Sequence, residues 1–99
     1  MGLLDIFGFG KREKMIEEAL SKGAVIVDVR STMEFKSGNI EGSINIPLDI
    51  IEDNIHKLKD MNNAIVLCCA SGMRSGSAKS ILQRYDIECY NGGGWHSLS

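Results

Sequence analysis

The stretch from Ala64 to Ala78 leaves this chain few choices of fold. Four apolar residues run into the adjacent pair Cys68 and Cys69, a small flexible segment follows, and a periodic apolar pattern starts at Ala78. That is the pattern of a buried strand, a tight loop and a helix, with the loop lying where the strand ends and the helix begins. A thiol placed there faces unpaired backbone N–H groups. Their partial positive charge favours a thiolate over a thiol, and favours any anion bound beside it.

The flanking sequence repeats the alternation. Met15, Ile16, Ala19 and Leu20 recur at helical spacing ahead of Gly23, which predicts a short amphipathic helix over 12–22. Residues 24–28 follow as a strand apolar on both faces, the kind that helices cover on both sides of a parallel sheet. Ser31 and Glu34 have the spacing of a capping box, opening a short helix that must end before Gly38. Residues 43–46 read as a brief strand closed by Pro47. Asp49 and Glu52 mark another helix start, with Ile51, Ile55 and Leu58 as its inward stripe. Ala78, Ile81, Leu82 and Tyr85 give the helix after the cysteine loop a buried face, and residues 87–90 form a last short strand. At Asn91-Gly-Gly-Gly94 the backbone must turn sharply or approach something closely; Trp95 and Leu98 then fold back as a terminal turn or short helix.

Helices alternating with short apolar strands predict a single α/β domain with a mostly parallel sheet. In open sheets of this kind ligands sit at the carboxyl ends of the strands. Asp28, Cys68 and Cys69 share that edge.

Ninety-nine residues suit one domain, which should bury roughly 60 to 70% of its unfolded surface without a disulfide or metal. A net charge of -2 attracts no phosphate backbone over a broad surface, so nucleic acid is not an expected partner. Three cysteines, an odd number without framework or zinc-site spacing, read as thiols of a reduced, cytoplasmic protein. His56 and His96 have no helix-spaced partner, and neither a metal nor a cofactor is expected. No apolar run reaches the roughly 18 residues of a membrane span. The glycine-rich opening is too short for a secretory signal, and Lys11 and Arg12 follow its apolar part instead of preceding it. Residues 1–11 are therefore expected to be an apolar tail, packed on the domain or touching a membrane or partner through Leu3, Leu4, Phe7 and Phe9. The domain proper is expected over 12–99, as a monomer.

The two cysteines set two registers against each other. Counted from Cys68 the spacing is Cys-x5-Arg-Ser, that of a loop wrapping the three equatorial oxygens of a phosphoryl group, as in a phosphatase or arsenate reductase. Counted from Cys69 it is Cys-x4-Arg-Ser, a smaller ring suited to one sulfur atom carried as a persulfide. In either register the N–H groups from Ala70 to Ser75 are expected to converge on the sulfur. Gly72 supplies the special conformation, and Ser71, Ser75 and Arg74 further hydrogen bonds. Fixed donors of this sort are worth on the order of 3 kcal/mol each. Cys89 reads as core, and Cys68 as core or orienting material. Asp28 caps nearby N–H groups or bonds loop amides, and Arg30 is expected to bridge to Glu34.

These motifs together resemble the rhodanese family of sulfurtransferases, in particular its small single-domain members. Asp28-Val-Arg30, Glu34-Phe35, the run from Gly38 to Pro47, the loop from Cys69 to Ser75, and Gly92-Gly-Gly-Trp95 stand in family order and spacing over residues 24–97. The resemblance implies a four- or five-stranded, mostly parallel sheet flanked by helices on both faces. It implies Cys69 as the sulfur-accepting nucleophile, with Arg74 closing a loop of Ala70, Ser71, Gly72, Met73 and Ser75, and Asp28 and Arg30 behind it. Sulfur would pass from thiosulfate or a protein or small-molecule persulfide to a thiol, cyanide or a partner protein. A persulfide carrier without turnover, or a binding module, would need the same pocket. Asn39 replaces the usual His, and Cys68, before the nucleophile, could act as a resolving thiol. Ala70 and Met73 leave the loop with one positive side chain, which favours thiosulfate less than a more cationic rim would.

Overall fold

In the computed structural model, residues 10–98 are described; the expected tail lies, up to residue 9, outside the described residues. Helix α1 (Lys11–Ser21) is entered from Gly10, whose N–H donates to the Glu13 carboxylate at 3.0 Å. The chain then alternates through β1 (Val25–Asp28), α2 (Thr32–Ser37), β2 (Ile44–Asn45), two 3₁₀ turns (Leu48–Ile50 and Glu52–Asn54), α3 (Ile55–Asp60), β3 (Ile65–Cys69), α4 (Met73–Arg84) and β4 (Cys89–Gly94). A 3₁₀ turn over Trp95–Leu98 closes it. The strands lie in the order β2-β1-β3-β4, every pairing parallel, so four strands form the sheet among the described residues. None of the described helices is long and apolar enough to cross a membrane.

Every residue of β3 is buried. Because strand side chains alternate, its residues feed two separate cores. Ile65, Leu67 and Cys69 pack with Val27 of β1, Ile55 and Leu58 of α3, and Ala78 and Leu82 of α4. Val66 faces the other way, onto Ile16 and Ala19 of α1. A strand apolar on both faces thus has helices on both, as its composition requires. Full burial of each branched side chain contributes about 1.5–3 kcal/mol.

Several boundaries differ from the sequence expectation for physical reasons. Helix α4 begins at Met73, ahead of the apolar periodicity that starts at Ala78, because its first turn carries Arg74, Ser75 and Gly76. Gly72 caps it at φ 98°, a left-handed conformation that glycine adopts without steric cost. Tyr85, expected on the buried face, is exposed at the helix end and donates to the Glu52 carboxylate at 2.8 Å. Asp49 does not open a helix; two 3₁₀ turns precede α3.

The glycine run is not a turn but the end of β4. Leu67 pairs with Asn91 and Cys69 with Gly94, so three steps of β4 match two of β3. That is a β-bulge, and Gly93 within it has φ 79°. Gly92 lies so close to β3 that an added Cβ would sit 2.9 Å from the Leu67 carbonyl oxygen. Because that neighbour is backbone in the central strand, Gly92→Ala should lower the unfolding free energy by about 1–3 kcal/mol. A shifted urea midpoint with an unchanged slope would register this.

Candidate active site

Cys69 ends β3 on the face that α4 covers. Its sulfur accepts the Gly72 N–H at 3.0 Å and the Ser75 N–H at 3.4 Å, and lies 3.4 Å from the Ser75 hydroxyl oxygen. Both N–H groups are among the orphan donors at the start of α4. Burial pushes the thiol up, but hydrogen bonding to Ser75 and to the N–H groups of Gly72 and Ser71 outweighs it and holds Cys69 below its ordinary value. Ala70, Ser71 and Met73 form an exposed rim, and Cys69 and Ser75 are wholly buried beneath it.

Cys68 points to the opposite face. It pairs in register with Asp28, and burial followed by the Asp28 charge pushes its thiol up to about 12. On that face Cys68 does not enter the ring, where the wider phosphatase-type register needs it, and does not share the side of β3 from which Cys69 leaves, where a resolving thiol would act. Cys89 is buried, and burial raises its thiol as well.

The two arginines make partners that the sequence did not reveal. Arg30 does not bridge to Glu34. Its guanidinium holds the Asp28 carboxylate in bonds of 2.8 to 3.0 Å, reaches the Gly38 carbonyl at 2.6 Å, and lies 4.6 Å over the Trp95 ring. Asp28 bonds Arg30, including its N–H at 2.9 Å, and not the loop amides expected for it. The pair is buried, at 5% and 1% side-chain exposure. Glu34 instead holds Arg74, with bonds of 2.7 and 3.0 Å. The Arg74 guanidinium, and then the Ser31 N–H, bring the Glu34 carboxyl down to about 2, so it stays charged throughout the physiological range. Arg74 therefore closes the rim through an ion pair with α2, beside a groove lined by Val29, Ser31, Thr32, Pro47, Leu48 and Asp49.

Two asparagines escaped the sequence reading. Asn45 donates to the Asp28 and Arg30 carbonyls, both at 3.0 Å, tying β2 to the bend after β1. Asn91 accepts from Ser75 and Gly93 and donates to the Gly72 carbonyl, bracing the ring from β4. Its position directly before a glycine run beside β3 was the available signal. Among the described residues no three His, Cys, Asp or Glu side chains gather as a metal site.

The family model for the rhodanese-like domain matches residues 13–98. The chain belongs to the rhodanese-like domain family. A putative mitochondrial thiosulfate sulfurtransferase of Schizosaccharomyces pombe is 34% identical, covering 82% of this chain and 66% of that protein. Among solved structures, a rhodanese-like domain protein from Staphylococcus aureus is 34% identical, with a TM-score of 0.69 over 77% of this chain and 74% of that one. A rhodanese with anions from E. coli is 29% identical, with a TM-score of 0.70 over 78% of this chain and 93% of that one. The chain spans less than two thirds of the length of the curated sulfurtransferases it matches first. Membership in this rhodanese-like family supports a general role in sulfur transfer.

The thiols should separate in alkylation, whose rate follows the thiolate fraction. A thiol held at about 12 is ionised in only about one molecule in ten thousand at pH 8. Iodoacetamide at pH 7 to 8 should therefore modify Cys69 and spare Cys68, read by peptide mass. The Cys69 rate should climb with pH and level off below the range of a free cysteine, since its thiol is lowered. In the buried pair, Arg30→Met strands the Asp28 charge and should cost about 3–5 kcal/mol in urea unfolding.

Proposed function

We propose that this protein is a sulfurtransferase that carries sulfur as a persulfide on Cys69. The observation that carries this reading is the convergence of the Gly72 and Ser75 N–H groups on the Cys69 sulfur, at 3.0 and 3.4 Å. Donors aimed at a fixed anion need no reorganisation when charge appears on it. The Cys69 thiolate attacks the outer sulfur of R–S–SH; the new S–S bond forms as the R–S bond breaks, leaving Cys69–S–SH and R–S⁻, which takes up the proton the persulfide then loses. An acceptor thiolate or cyanide attacks the outer sulfur in turn and restores the Cys69 thiolate. No cofactor enters either step.

The favoured donor is a persulfidated protein or small thiol, with thiosulfate a poorer one. Arg74 is the only cationic side chain between Ala70 and Ser75, and Glu34 occupies it. A dianion therefore meets a rim with little net charge. Met73, 80% exposed beside Arg74, and Met33, 83% exposed beside Glu34, offer apolar contact to a partner protein. A relay between proteins uses the same chemistry as turnover, and the two differ only in the acceptor.

Intact mass after exposure to thiosulfate or to a persulfidated thiol tests the reading. Cys69 should gain one sulfur atom, Cys68→Ser should gain it too, and Cys69→Ser should not. Uptake that survives in Cys69→Ser would refute the assignment. Glu34→Gln frees Arg74 and should lower the KM for thiosulfate by about three- to tenfold, the equivalent of about 1 kcal/mol, with less effect on a neutral donor.

A further inference from the structure

Ser75 has one hydroxyl proton, and two neighbours compete for it. The orientation of the Asn91 amide decides which one holds it. The Gly93 N–H lies 2.9 Å from Oδ1 and can only donate; the Gly72 carbonyl oxygen lies 3.1 Å from Nδ2 and can only accept. A flipped amide would lose both bonds, so Oδ1 must be the atom that faces Ser75, at 2.6 Å. An amide oxygen has no proton to give. The Ser75 proton therefore points at Asn91, and the lone pairs of its oxygen face the Cys69 sulfur 3.4 Å away. Lone pairs suit an S–H group and oppose a bare S⁻.

We propose that Asn91 is a positioning residue that sets the protonation of Cys69 through Ser75, holding the empty nucleophile closer to its thiol form than the ring N–H groups alone would. To stabilise a thiolate, Ser75 must rotate its proton off Asn91, leaving Oδ1 with Gly93 alone. The persulfide makes no such demand: in Cys69–S–S⁻ the charge lies on the outer sulfur, and the bridging sulfur next to Ser75 carries none. Asn91 thus disfavours the empty thiolate without disfavouring the loaded state, and so favours retention of sulfur. This second consequence rests on the persulfide reading above; the first does not.

Other charges do not provide the same control. Arg74 is paired with Glu34, with Asp49 across the groove. Cys68 lies on the far side of β3, and the paired Asp28 and Arg30 lie at the end of β1 and just beyond it. The segment Asn91–Gly94 that packs on the ring has no titratable side chain.

The test is the pH dependence of Cys69 alkylation by iodoacetamide, followed by peptide mass in the full chain. Asn91→Ala should release the Ser75 proton to the sulfur and raise the thiolate fraction at a fixed pH on the rising limb by about three- to tenfold. The same substitution in a Ser75→Ala background should give no such rise. An unchanged or higher apparent pKa in folded Asn91→Ala, or a gain that persists without Ser75, overturns the proposal. Should Asn91→Ala not fold, Ser75→Ala alone carries the test: it removes the lone pairs that face the sulfur, so the profile should hold or move to lower pH, and a move to higher pH, the mark of a hydroxyl that donates to the thiolate, overturns the proposal. Sulfur loading at a fixed ratio of persulfide donor to thiol should fall in Asn91→Ala. A wild-type protein that takes up no sulfur would refute the transfer reading and leave the alkylation result standing.

Discussion

The two-residue period of β3 is the constraint on which the site depends. Adjacent side chains on a strand leave by opposite faces, so Cys68 and Cys69 cannot serve one pocket. A slip of one residue would exchange them. Pairing on both sides prevents the slip: Cys68 sits opposite Asp28, and Leu67 opposite Asn91. The cores reinforce it, since one face of β3 meets α3 and α4 and the other meets α1. One thiol therefore enters a ring of donors and the other a low-dielectric interior. Their ionisation diverges for that reason alone, although the two residues are chemically identical and adjacent.

Electrostatics around the ring is arranged by cancellation. Arg30 is consumed by Asp28 in a buried pair that also holds the Gly38 carbonyl and stacks under Trp95. Gly38 permits that stack, since a Cβ there would lie 3.1 Å from the Trp95 ring. Residues from β1, from the end of α2 and from the closing turn thus form one post beneath the edge where Cys69 emerges. Arg74 is matched by Glu34 on the solvent side, where an exposed pair adds little stability but fixes where the guanidinium points. With both arginines neutralised, backbone N–H groups and one hydroxyl supply the polarity that the sulfur feels.

The alternation of helices and apolar strands, and the strand-loop-helix around Cys69, were legible because hydrophobic periodicity reports burial directly. Local chemistry was legible where it closes within a few residues: Ser31 and Glu34 do exchange their capping bonds, at 3.1 and 3.2 Å. What failed was pairing across the fold. Arg30 and Glu34 are neighbours in sequence and opposite in charge, yet each prefers a partner whose geometry only the folded sheet provides. The start of α4 was hidden because its first turn faces the site and its one apolar residue, Met73, is exposed instead of continuing the buried stripe. The glycine run was read with two alternatives open, and close approach, not a turn, is the one realised. Asn91 was passed over because an asparagine before glycines looks like turn chemistry, whereas here it lies within β4 and reaches across the bulge.

That bulge explains how a wholly buried sulfur comes to lie inside a ring of donors. Straight pairing of β4 would carry an ordinary ladder past Cys69; the additional residue lets the chain close on the ring instead. Gly72 and Gly93 approach so nearly that a Cβ on Gly72 would lie 3.3 Å from the Gly93 Cα. On the persulfide reading proposed above, a ring drawn this tight suits a cargo of one atom, because a donor that presents a terminal sulfur can leave its remaining bulk outside, against Met73 and the Arg74 rim. A phosphoryl group would have to bring three oxygens inside as well. The size of the ring and the choice of cysteine are thus set together, since the register that puts Cys69 on the α4 face also brings the glycines of β4 against it.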